Sequence, residues 1–62
     1  MGERYVNFFG DVFILTIENI DSYIQEFENK LENNQHKTIM KRLYTEAIED
    51  LKKIKEELLL EQ

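Results

Sequence analysis

The sequence predicts an all-α protein, an antiparallel two-helix hairpin with helix one over about 4–32 and helix two over about 36–61, paired with a second copy in a four-helix bundle. Three observations carry that expectation. Among 62 residues there is no Pro, and Gly2 and Gly10 are the only glycines, so nothing divides the chain into many short elements. Apolar residues recur at alternating steps of four and three in two long stretches. Between those stretches lies a polar cluster, Asn33-Asn34-Gln35-His36, of the kind that turns one helix back on another.

The first stretch is Phe13, Ile17, Ile20, Ile24, Phe27 and Leu31. On a helix this spacing gathers all six side chains into one seam. Asp11 is a competent N-cap for it, followed by Val12 and Phe13. Val6 and Gly10 extend the same phase backward, however, and starting the helix near Glu3 makes the two arms nearly equal in length. The β-rich composition of Tyr5 to Ile17 also admits a strand, but a lone strand without a pairing partner is unstable in water. The longer helix is therefore the expectation.

Helix one should stop near Glu32, with Asn33 or Asn34 in the left-handed conformation and Asn34 able to cap the second helix. From Lys37 onward Met40, Tyr44, Ala47, Leu51, Ile54 and Leu58 repeat the spacing, and Leu43 and Ile48 widen the stripe. Ala47 leaves room for Ile24 or Phe27 from the facing helix. Charge supports folding back: up to Asn34 the chain holds two basic and seven acidic residues, and from Gln35 on six of each, so helix one carries the whole −5. Antiparallel docking sets Glu28 opposite Lys41, an exposed pair worth about 0.2–1 kcal/mol.

A second apolar stripe, Tyr5, Phe8, Val12 and Leu15, lies roughly opposite the seam and is joined by Phe9; at the other terminus Leu58, Leu59 and Leu60 are consecutive. Both excesses fall at the open end of the hairpin. A helix apolar all round is buried all round, so Tyr5, Phe8, Phe9, Val12, Leu15, Leu59 and Leu60 are the expected protein interface. A second copy would fill it as a homodimer, and a different protein's helix is the other candidate occupant. For so short a chain, assembly is expected to be a condition of folding.

Catalytic and ligand chemistry is not signalled. His36 is the sole imidazole and reads as a solvated loop residue, without the convergent partners of a metal or catalytic site. Glu46, Glu49 and Asp50 read as a solvated helix face. No Gly-rich phosphate loop or nucleophile elbow occurs. The Ser-x-Glu-Leu-Asp signature of the small two-helix, sporulation-type aspartyl phosphatases has no counterpart, the nearest stretch being Thr45-Glu46-Ala47-Ile48-Glu49-Asp50. No enzyme, cofactor or metal is expected.

The apolar runs are too short for a membrane span or a signal peptide, and the absence of Cys fits the cytoplasm. Net acidity disfavours phosphate backbones and anionic lipid. The sequence thus reads as one domain, 1–62, with a non-catalytic role: a small acidic protein-interaction module or regulator that self-associates. Glu18, Asp21, Glu26 and Glu28 would steer a basic protein partner. The alternative is a nucleic-acid-associated dimer using Lys37, Lys41, Arg42, Lys52, Lys53 and Lys55.

Overall fold

In the folded protein, burial along residues 4–8 and 11–15 alternates with the two-residue period of a strand. The structure, a computed structural model, describes residues 2–61. Its elements are β1 (Arg4–Phe8), β2 (Asp11–Leu15), α1 (Ile20–Asn33) and α2 (Thr38–Leu60). The fold is α+β: a two-stranded antiparallel hairpin followed by two helices. This overturns the all-α expectation, with its first helix from about residue 4 and its four-helix bundle. Met1 and Gln62, the ends of the expected 1–62 domain, lie outside the described residues.

The physical reason is that one stretch supplies both strands, so neither is alone. Tyr5 pairs with Ile14, Val6 with Phe13 and Asn7 with Val12, and Phe8 and Asp11 close the ladder at the turn. Phe9 and Gly10 make that turn with φ of 56° and 83°. Positive φ at both central residues is the type I′ geometry whose twist matches paired strands. Gly10 adopts it freely, and Phe9 adopts it against its steric preference.

Alternation then divides the apolar residues between two faces. Val6, Phe8, Phe13 and Leu15 point toward the helices, and Leu15 is fully buried. Tyr5, Val12 and Ile14 point away and are exposed.

A reciprocal pair of hydrogen bonds turns the chain from β2 into α1. The Thr16 N–H donates to Asn19 Oδ1 at 2.8 Å, and the Asn19 N–H donates to Thr16 Oγ1 at 3.3 Å. This is the logic of a capping box, built on Asn. The Asn19 amide also donates to the Ile14 carbonyl at 3.0 Å, tying the start of the helix to the outer edge of β2.

From Ile20 the expected seam holds: Ile20 and Phe27 are buried, and Ile24 and Leu31 half-buried. The tip differs in detail. Asn34 sits at φ −116°, outside the left-handed region, and its side-chain amide donates to the Lys30 carbonyl at 2.7 Å. Lys37, not Asn34, occupies the N-cap position of α2.

The arms are unequal, 14 residues against 23. The surplus of α2 anchors the start of β1. Arg4 at the start of β1 reaches Glu61 at 2.7 Å and Glu57 at 3.9 Å. Between the helices Lys55 meets Asp21 at 2.7 Å, and Glu28 meets Lys52 at 3.8 Å in place of the expected Lys41. Exposed pairs of this kind are screened by solvent and add little. Cohesion comes instead from the apolar core of Leu15, Ile20, Phe27, Ala47, Ile48, Leu51 and Leu58, to which both helices and the hairpin contribute.

Candidate functional site

An aromatic cluster joins the hairpin to both helices. Phe27 of α1 lies at its centre, with the rings of Phe8, Phe13 and Tyr44 at 5.7–5.8 Å and interplanar angles of 71–82°. These are the edge-to-face arrangements that aromatic quadrupoles favour. Phe9 completes the group from the turn, 5.8 Å from Phe27 and 4.8 Å from Tyr44.

Beside the turn the cluster opens into a cleft of about 410 Å³. Phe9 and Phe13 form one side, Phe27 the floor, and Met40, Leu43 and Tyr44 the side contributed by α2. Asp11, Glu26 and Lys30 supply its charged groups. An apolar concavity with a few polar groups, placed where the hairpin turn, β2 and both helices meet, has the ordinary make-up of a binding site. The hairpin ends before the helical tip, so Ile39 and Leu43 of α2 remain exposed nearby. A broader hollow of about 590 Å³ among Asp21, Ser22, Gln25, Glu26, Asn29 and Lys30 is lined by α1 alone, and one helix flank encloses nothing.

The expected interface residues do not form one surface. Leu15 and Phe8 belong to the protein's own interior, because the strand period sends them inward. Tyr5 and Val12, 68% and 66% exposed, share the outer face of the hairpin with Ile14, which the helical reading did not single out. Phe9 is at the turn and lines the cleft. At the end of α2 Leu58 turns inward, while Leu59 and Leu60 remain exposed. Of the apolar excess expected to require a second chain, Phe8 and Leu15 are thus covered within the protein, and Tyr5, Phe9, Val12, Leu59 and Leu60 stay exposed.

Of the four expected steering acids, Asp21 and Glu28 are engaged by Lys55 and Lys52. Among the described residues Glu18 and Glu26 meet no basic group within ion-pairing distance, and the same holds for Asp11. On α2, Arg42 is paired with Glu46 at 3.5 Å, so acids interleave the basic positions considered for nucleic acid. Arg4 and Glu61 perturb one another: their hydrogen bond is the main cause that raises the guanidinium pKa and lowers that of the carboxyl. No helix among the described residues is long and apolar enough to cross a membrane.

The strand reading was available in the two β-rich runs on either side of Phe9-Gly10, whereas Leu43, read as widening the stripe of helix two, lines the cleft. Comparison with known proteins finds no match among family models, curated proteins or solved structures.

Proposed function

We propose that this protein is a small, acidic, non-catalytic interaction module of the cytoplasm, which forms a homodimer through the outer face of its β-hairpin and engages a basic protein partner with its acidic side. One observation supports the reading above the others. Tyr5, Val12 and Ile14, the last 46% exposed, lie side by side on a sheet face that no other element among the described residues covers. With Asn7 between them the face carries no charge, although the chain as a whole carries −5. A charged partner gains nothing from such a face, whereas a second copy brings an identical neutral surface, as twofold association requires. Arg4 holds the start of β1 beside the end of α2, so exposed Leu59 and Leu60 belong to the same end of the molecule.

Magnitudes place the dimer among weak ones. Complete burial of an apolar side chain yields about 1.5–3 kcal/mol, and association itself costs about 4–15 kcal/mol. Three to five such side chains leave a small surplus, so dissociation is expected in the micromolar range or above. Sedimentation equilibrium across concentrations tests this. The wild type should pass from one chain mass to two, and the Tyr5→Ser/Val12→Ser double variant should stay at one with its helical circular dichroism unchanged. A wild type that remains a single chain at every concentration would refute self-association.

A further inference from the structure

We infer that the cleft beside the hairpin turn is the docking site for an arginine side chain of the partner protein. In this arrangement the guanidinium lies between the carboxylates of Asp11 and Glu26 and against the rings of Phe9 and Tyr44, and apolar neighbours of the arginine cover Met40 and Leu43.

Three independent features converge on the cleft. Its walls are aromatic, with Phe9 and Tyr44 only 4.8 Å apart between ring centroids, and a ring face attracts a planar, weakly hydrated cation. Two of its charged groups, Asp11 and Glu26, are carboxylates without a basic partner among the described residues, so charge complementarity selects a cation. Finally, Phe9 holds φ 56° at a position where Asn or Gly would be unstrained. Strain of that kind persists where the surroundings over-determine it and clusters at ligand clamps. Here it keeps an aromatic ring 44% exposed in the cleft wall.

Arginine fits better than lysine because its fork offers hydrogen bonds to two carboxylates while its plane stacks on a ring. Lys30 contributes the one basic side chain to the lining and sets a like charge near the arriving cation. It therefore opposes binding.

The inference rests on the interaction reading and names the chemistry of its partner, but it is independent of dimer formation. Mass in solution reports the one, and ligand titration the other. The test uses the full chain, isotopically labelled, titrated by NMR with acetyl-Leu-Arg-Leu-amide into the millimolar range. A parallel titration uses the peptide in which neutral, isosteric citrulline replaces arginine.

Saturable shifts are expected at Phe9, Gly10, Asp11, Glu26 and Tyr44 with the arginine peptide and not with the citrulline one. The Asp11→Asn/Glu26→Gln variant should weaken binding about tenfold or more, through loss of charged hydrogen bonds. Lys30→Gln should tighten it about twofold. All three substitutions are at exposed positions, and an unchanged spectrum of the free variant shows that the fold is intact. The inference is overturned by unsaturable or absent shifts at those residues, by equal shifts with citrulline, or by binding that neutralising the two acids does not weaken.

Discussion

Phe9 holds a backbone conformation that bulky side chains avoid, and the rings of Phe27 and Tyr44 keep it there. Two effects meet at this residue. The left-handed region costs a residue with a Cβ roughly 1–2 kcal/mol, and each aromatic contact returns about 0.5–1.5 kcal/mol. Replacing Phe9 by Ala removes the rings' contacts and keeps the strain, while replacing it by Gly removes both. The Gly variant should therefore be more stable than the Ala variant by about 1 kcal/mol, the reverse of their order inside a regular element. Urea denaturation of the two variants measures the difference directly. Equal stability, or a more stable Ala variant, would show that φ at this position is not positive. The same residue explains why the hairpin was hard to read. Asn-Gly or Asp-Gly would have announced a two-residue turn, and Phe-Gly does not.

The β-hairpin is attached to α2 at its open end through Arg4, whose hydrogen bond to Glu61 is the main reason that the Glu61 carboxyl titrates below its ordinary value. A carboxyl with a lowered folded pKa contributes its contact fully above the unfolded value, and the contribution is lost as pH falls through the lowered one. Acidification below the ordinary carboxylate range should thus release the start of β1 from α2 before the helices part. The protection of the Val6 amide against exchange, taken relative to the unstructured rate at each pH, should fall there in the wild type. In Glu61→Gln that pH dependence should disappear, and an unaltered profile in the variant would mean that the pair does not hold the strand. The helices were legible from their spacing because period 3.6 leaves a polar flank, as it does from Ile20 to Leu31 and again from Met40 to Leu58. Residues 4–15 satisfy two periods at once: Tyr5, Phe8, Val12 and Leu15 fit helical steps, while Val6, Phe8, Phe13 and Leu15 fit strand faces. Gly10, midway between the runs, is the residue that favours the strands, since in a helix it would sit at an unfavourable interior position.

At the scale of the whole molecule the hairpin lays a sheet over the groove between the helices and divides the apolar residues by task. Phe8, Phe13 and Leu15 complete the core of a chain too short to close one with two helices alone, whereas Tyr5, Val12 and Ile14 remain exposed, as the proposed dimer requires. The candidate surfaces were legible only in part. Tyr5, Phe9 and Val12 stand out in the sequence, but a helical period groups them with Phe8 and Leu15, which the strand turns inward. The cleft depends on three elements meeting, and no local pattern encodes that. This division of labour requires that residues 4–15 be paired strands in solution. The most direct test is the pattern of nuclear Overhauser effects along that segment. In a two-residue hairpin Tyr5–Ile14 and Asn7–Val12 are the pairs without mutual hydrogen bonds, whose Cα atoms approach to about 4.5 Å. Strong cross-strand contacts between the Hα atoms of those two pairs are the predicted result; consecutive amide-to-amide contacts running unbroken from Arg4 to Leu15, as in a helix, would contradict it.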